Sequence, residues 1–247
     1  PAAEKAKMGL RPLGLGEFAD IEPASLHSGQ GIWKLNHFHF AYKKQPETLS
    51  LENIELPAGN VTAVIGHNGA GKTTTLRCVA GILDYTQGTI TIGGHDIHTE
   101  PVLAKQITAF LPDNPDLYEF LTGIAYLKFI ADLYSIPKQE RTQRIGKYAD
   151  AFEMTDALGD PIGSYSHGMK QKLALISALM RQPKLLILDE PFVGLDPQAA
   201  FVMKGFLKEL CGQGGAVLFS THVLEVAQKL CDRIVIIQKG HLVEQGK

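Results

Sequence analysis

The chain has 247 residues, 45% of them hydrophobic and 20% charged, with 24 Lys and Arg against 26 Asp and Glu for a formal charge of −2. This balance excludes a mainly disordered chain, a collagen-like chain and a coiled coil. It gives no bulk electrostatic support for nucleic-acid binding, and the length allows one large domain or two small ones sharing a core.

The chain opens Pro1-Ala2-Ala3-Glu4, without a basic-then-apolar signal peptide. It also lacks an initiator Met, which points to a chain that is processed, trimmed or part of something longer. Pro12, Gly14, Gly16, Pro23, Gly29 and Gly31 are scattered without periodicity, so residues 1–31 read as an arm or linker. Order is expected from Ile32, where Trp33, Leu35, Phe38 and Phe40 mark strand-like segments before Tyr42. Leu49–Leu56 alternates apolar and polar, the pattern of a half-buried strand, and Pro57-Ala58-Gly59-Asn60 reads as a turn. Val61–Ile65 is continuous and β-branched, suited to a strand buried on both faces. A glycine-rich loop and a helix over Thr73–Gly81 follow, and then a strand, turn and strand over Thr89–Ile97.

From about 118 to 183 the pattern turns helical. Leu121, Ile124, Leu127, Ile130 and Leu133 recur at helical spacings, Lys138–Ala149 reads as a surface helix, and Gly168–Arg181 as a third. After Pro183 the expected order is strand 184–189, helix 197–211, strand 216–220, helix 222–231 and strand 233–238. Strands alternating with helices imply a parallel sheet, with the helical stretch inserted into an α/β body. No apolar run approaches the roughly 18–20 residues of a membrane span. Cys78, Cys211 and Cys231 are odd in number and lack Cys-x-x-Cys spacing. They read as small buried hydrophobes in a reducing compartment rather than a disulfide framework or zinc site.

Gly66-His67-Asn68-Gly69-Ala70-Gly71-Lys72-Thr73 fits G-x-x-x-x-G-K-[ST] between an apolar strand and a helix. Triphosphate oxygens need several inward-pointing backbone N–H donors, and glycines permit the unusual torsions and close approach that this requires. The following helix adds the positive end of its dipole. Lys72 would meet the β- and γ-phosphates, Thr73 would ligate Mg²⁺, and Thr74 would add a phosphate hydrogen bond. Leu185–Leu188 is a buried strand running into Asp189 and Glu190. In such sheets ligands bind at strand ends. Asp189 would hold Mg²⁺ through water and Glu190 would polarise the attacking water as general base.

On these residues the chain, from about 33 to 247, resembles the ATPase subunit of an ATP-binding cassette (ABC) transporter, and within it the exporter-type (ABC-2) group. The resemblance implies an α/β fold: a P-loop NTPase core with a parallel sheet, an antiparallel β subdomain and an inserted helical subdomain at about 118–183, all within a domain spanning 32–247. It gives Tyr42 the role of an aromatic stacking on adenine, although an ordinary strand Tyr would look the same. Ser166, His167, Gly168 and Met169 stand where the family signature stands, Asp196 lies in the D-loop string Gly194-Leu195-Asp196-Pro197, and His222 resembles the switch histidine. A lone His opening a helix is otherwise a cap or surface residue. In the family the signature of one domain faces the phosphate loop of another. One chain holds one copy of each motif, so the resemblance implies a second ABC ATPase domain, identical or not, together with ATP, Mg²⁺ and a membrane permease subunit. It also implies a cytoplasmic chain, peripheral on the cell membrane, that meets no nucleic acid.

Two departures stand out. The signature reads Ser-His-Gly-Met rather than Ser-Gly-Gly-Gln, with Lys170 and Lys172 after it read as surface charges. Asp113 occupies the position where the family usually has Gln. It is expected to reach the metal through water and to face the permease. Residues Tyr42–Gly81 also resemble energising subunits of vitamin-uptake systems, whereas Asp113–Asp196 looks more like the exporter group. The competing functions are a non-transport ABC ATPase in DNA repair or translation, and an unrelated phosphate-loop kinase or GTPase. Long coiled coils and tandem cassettes, the marks of the first, are absent from the sequence, and the signature, D-loop and His222 argue against the second.

Overall fold

The computed structural model describes residues 31–42 and 48–246. The expected arm at 1–31 therefore lies outside the described residues, except for Gly31, which already belongs to the first strand. Among the described residues one 11-stranded sheet carries the fold. Its parallel part runs β10(Arg233–Gln238), β4(Val61–Ile65), β9(Ala216–Thr221), β8(Leu185–Leu188) and β7(Thr108–Leu111). β11(His241–Gly246) pairs antiparallel with β10 and touches β2(Leu49–Leu51) at His241 and Ser50. Through that bridge the sheet passes into the antiparallel strands β1(Gly31–Phe40), β3(Ile54–Pro57), β5(Gln87–Ile92) and β6(His95–Asp96).

The parallel strands are apolar on both sides because each side has its own core. On β8, Leu186 and Leu188 face one cluster while Leu185 and Ile187 face the other; on β9, Val217 and Phe219 oppose Ala216 and Leu218. Burial of alternate side chains in opposite directions is what a strand covered on both faces demands. The first cluster is closed by α3(Gly123–Leu133), α4(Lys138–Ala151), α5(His167–Leu179) and α6(Pro197–Gly212), and the second by α1(Lys72–Val79), α2(Pro101–Gln106) and the antiparallel strands. A short α7(Leu224–Leu230) leads into β10. No helix among the described residues is long and apolar enough to cross a membrane.

Among the described residues, three helices begin with side-chain caps. Thr122 accepts from Ala125 N at 3.3 Å, Ser166 from Met169 N at 3.3 Å and Asp196 from Ala199 N at 2.7 Å. Each cap satisfies one of the four donors a helix start leaves free, at about 1 kcal/mol apiece. Arg181, just past α5, stacks its guanidinium on Tyr134 at 3.4 Å and donates to Thr108 O at 2.6 Å, fastening the helical stretch to β7.

Several local expectations change. The single strand expected over Leu49–Leu56 is broken at Asn53, whose φ is 45°, and β1 is irregular at the same level, where His37 has φ 46°. The two segments, β2 and β3, then pair with different ends of β1. Pro57, expected in the turn, closes β3. Sequence periodicity gave no sign of α2, β7 or β11, which are six, four and six residues long. The helix expected over 222–231 starts at Leu224, which leaves His222 in the preceding connection. Lys170 and Lys172 are not solvated charges: Lys170 pairs with Glu119, and Lys172, with only 16% of its side chain exposed, pairs with Asp196.

Candidate functional site

The register of the parallel strands brings the motifs together. Ile65 is level with Thr221 across β4 and β9, Leu188 with Phe219 across β8 and β9, and Leu111 with Leu188 across β7 and β8. The residues that follow these strands, Gly66–Gly71, Asp189–Glu190, His222 and Pro112–Asp113, therefore leave one edge of the sheet, its carboxyl end, where α/β sheets bind ligands.

The loop is shaped by its glycines. Gly69 and Gly71 have φ of 79° and 104°, a region that costs other residues about 1–2 kcal/mol. Gly66 is required for a different reason: a Cβ there would lie 2.4 Å from the carbonyl oxygen of Ile237. The turn between β10 and β11 braces the loop from behind, with Gly240 N donating to Ala70 O at 3.0 Å. Lys72 folds back into the loop and donates to Gly66 O at 2.8 Å and His67 O at 3.3 Å. Its ammonium also lies 3.7 Å from Glu190 Oε1, with 7% and 16% of the two side chains exposed. His67 and Asn68 are exposed at the loop's crest, and Ala70 packs below it.

Asp189 is 3% exposed and its Oδ1 accepts two hydroxyls, from Ser220 at 2.6 Å and from Thr73 at 3.1 Å. The Ser220 hydroxyl in turn accepts from Glu190 N at 2.9 Å. This one serine fixes the turn after β8, in which Glu190 takes a left-handed φ of 46°. A non-glycine residue held there is strained by about 1–3 kcal/mol and persists because its surroundings impose it. His222 Nδ1 donates to Glu190 Oε1 at 3.0 Å. Lys72, Thr73, Asp189, Glu190 and His222 thus form one connected set. Tyr42, 40% exposed, shares a hydrogen bond of 3.3 Å with the Thr74 hydroxyl at the start of α1.

The remaining expected residues form a second group. Ser166 and His167 are exposed at the start of α5, and Gly168 and Met169 follow in its first turn. The loop at Gly194 wraps over them: a Cβ on Gly194 would lie 3.1 Å from both His167 Cδ2 and Gln171 Oε1. Asp196 caps α6 with one carboxylate oxygen and meets Lys172 Nζ with the other at 2.8 Å. Lys172 first, and then the Ala199 amide, hold the Asp196 carboxyl below its ordinary value. Asp113 is exposed, and its carbonyl accepts from the buried Gln171 side chain at 3.4 Å. Among the described residues, no hydrogen bond or ion pair joins this signature group to Lys72 or Glu190 of the same chain. Sequence reasoning did not single out Ser220, Gln171 or the role of Lys172. A serine ending an apolar strand carries no local signal, and the partners of all three lie far off in the chain. The three cysteines are free, and burial pushes each thiol up to about 12.

A cavity of about 240 Å³ opens beside this edge, lined by residues including Phe110, Pro112, Pro115, Tyr126, Tyr134 and Arg181. Near it Tyr118, Phe120, Phe129 and Leu133 are exposed by 50%, 82%, 44% and 62%. Tyr118 makes ring contacts with Phe120, Tyr126 and Phe129.

Comparison with known proteins bears on the family and the fold. The family model described as ABC transporter matches residues 49–193. The ABC transporter ATP-binding protein NatA of Bacillus subtilis (strain 168) is 33% identical over 205 residues, covering 83% of each chain. YdbJ of the same organism, an ABC transporter ATP-binding protein, is 38% identical over 191 residues, and the linearmycin resistance ATP-binding protein LnrL is 35% identical over 194. These matches cover 77% and 78% of this chain but only 61% and 62% of the relatives, so the chain spans less than two thirds of their length. A solved ATP binding subunit of an ABC transporter superposes with a TM-score of 0.82 at 32% identity, over 87% of this chain and 90% of that one. The cbiO1 protein from Clostridium perfringens, part of the ABC transporter complex cbiONQ, gives 0.75 at 26%, over 87% and 88%. With more than half of its length under one family model and a relative 33% identical over 83% of each chain, the chain belongs to the ABC transporter family of ATP-binding proteins.

Proposed function

We propose that this chain binds ATP with Mg²⁺ and hydrolyses it to drive rearrangement of a separate membrane permease, as the motor subunit of an exporter. The observation that carries the reading is the connected set in which Lys72, Thr73, Asp189 and His222 all close on the segment around Glu190. In this reading the domain expected over 32–247 begins one residue earlier, at Gly31, and is one ATPase domain with a helical subdomain at 118–183.

The chemistry follows from the donors present. Backbone N–H groups of Gly66–Gly71 cradle the phosphates, and Lys72 gives up its carbonyl partners to meet the β- and γ-oxygens. Tyr42 lies under the adenine. Thr74 then exchanges its bond to Tyr42 for a phosphate oxygen. Hard cations take oxygen ligands, and Mg²⁺ keeps several waters and substrate oxygens beside one or two carboxylates. The paired oxygens of Thr73 and Asp189, 3.1 Å apart, fit that donor set, with Asp113 reaching it through water. When bound, the cation neutralises charge on the β- and γ-phosphates. Glu190 orients and deprotonates the attacking water, and His222 holds the Glu190 carboxylate in place. Ser166 and Gly168, at an exposed helix start that His167 and Met169 complete, serve the nucleotide of a second ABC domain. Asp196 lies beside them at that interface.

The partner permease docks through an apolar cytoplasmic segment at the cavity and the Tyr118–Phe120–Phe129–Leu133 patch. This seats the chain peripherally on the cytoplasmic membrane face. Exposed apolar side chains clustered in this way mark interaction surfaces. The exporter assignment is supported by the likeness to the linearmycin resistance ATP-binding protein LnrL.

The test is Mg²⁺-dependent phosphate release by the purified chain and its Glu190→Gln variant. Turnover is expected to fall about 10²-fold or more, as for loss of a general base, with an ATP-bound dimer accumulating. Near-normal turnover in the variant overturns the assignment.

A further inference from the structure

We propose that Lys172 is a positioning residue that ties the D-loop aspartate Asp196 to the signature helix α5, so that both reach a facing nucleotide site as one unit. The tie is visible without any nucleotide. Asp196 divides its carboxylate, with Oδ1 capping α6 through Ala199 N at 2.7 Å and Oδ2 meeting Lys172 Nζ at 2.8 Å. Lys172 stands on the second turn of α5, six residues after the capping Ser166. One carboxylate therefore fixes the start of α6 and the start of α5 relative to each other.

Neighbouring contacts share the purpose. The Gly194 loop lies against His167 and Gln171, where a Cβ on Gly194 would press on both side chains at 3.1 Å. Gln171, 4% exposed, reaches the carbonyl of Asp113, so adjacent side chains of α5 hold two different loops. A surface ion pair by itself contributes little. This one is different in two respects. The Lys172 side chain is only 16% exposed, and the Asp196 carboxylate is already immobilised by its cap, so little further entropy is lost in the pairing.

The inference rests on the ATPase reading above, and its test separates the two. Asp196→Asn keeps a capping side chain, since Asn caps as well as Asp, but removes the charge. Lys172→Met should lower kcat about 5-fold, the equivalent of about 1 kcal/mol of coupling, and leave KM for ATP within about twofold. Lys172→Arg should restore kcat. Lys172→Met should cost nothing further in the Asp196→Asn background. In the ligand-free protein, Lys172→Met should raise the Asp196 carboxyl pKa, followed by NMR, and speed hydrogen exchange at the Ala199 amide. Unchanged kcat in Lys172→Met, no rescue by Arg, losses that multiply in the double variant, or an unmoved Asp196 titration each overturn it. Should the wild-type chain not turn over ATP at all, the ATPase reading falls, and the ligand-free titration still decides whether Lys172 holds Asp196.

Discussion

His222 Nδ1 donates to Glu190 Oε1 at 3.0 Å, joining the residue after β9 to the residue that follows the strand-end acid of β8. The imidazole sets the direction of a carboxylate whose backbone is already held in an unusual conformation, with φ at 46°. Ser220 constrains the backbone and His222 the side chain; in the proposed mechanism the second carboxylate oxygen acts on water.

His222→Ala should therefore lower kcat about 10- to 100-fold with little change in KM for ATP, because in the proposed mechanism the histidine acts on the base and not on the nucleotide. Steady-state kinetics checks this. An equal loss through KM would assign His222 to binding instead.

Lys72→Ala should weaken ATP binding about 10- to 100-fold, the range for losing hydrogen bonds from a charged donor, at 1.5–3 kcal/mol. Nucleotide titration by fluorescence or calorimetry reads it directly. The variant should stay folded, because the carbonyls of Gly66 and His67 that Lys72 now serves border the exposed loop and take water in its place.

Gly66→Ala should destabilise the fold as well as the site. Its Cβ would meet the Ile237 carbonyl at 2.4 Å and the Ala70 Cβ at 2.9 Å, so either the loop or the β10 end has to move. Overpacking of this kind costs about 1–3 kcal/mol, or several degrees in Tm. Gly69→Ala meets no atom within 4 Å. It carries only the torsional cost of its φ, and should lose less. Thermal melts of the two variants distinguish crowding from backbone strain.

Asp113→Ala should raise the Mg²⁺ concentration needed for half-maximal turnover several-fold while leaving Tm unchanged, since its carboxylate is exposed. A Mg²⁺ titration identical to wild type, together with unaltered coupling to the permease, would remove Asp113 from the metal site.

The thiols give a prediction independent of nucleotide. Burial pushes Cys78 and Cys211 up to about 12, so at pH 8 only about 10⁻⁴ of each is thiolate. Both should stay unmodified by a thiol reagent in the native protein and react promptly in denaturant. Fast native labelling of Cys78, which is fully buried, would contradict the second core as described.

Much of the parallel sheet was legible because its strands, such as Val61–Ile65 and Leu185–Leu188, are runs of apolar or β-branched residues covered on both faces. β7 escaped notice because Thr108–Leu111 has only Phe110 and Leu111 as large apolar residues, and β11 because His241–Gly246, with exposed Val243, Glu244 and Gln245, has no apolar rhythm. The break at Asn53 does have a trace in the sequence: Leu49, Leu51, Ile54 and Leu56 step by two, three and two, and the extra residue takes the positive φ.

The sequence by itself determined the phosphate loop, the strand-end acids and the family to which they belong, because each is a contiguous string whose chemistry depends on adjacent residues. Only the tertiary structure decided how the strings act on one another. Ser220 lies 31 residues from the Asp189 it serves, and Thr73 lies 116 from the same carboxylate. Lys172, read from sequence as a surface charge, became a tie to Asp196 only when α5 packed beside the start of α6. Strand register and helix packing set such distances, and a local string of residues does not encode them.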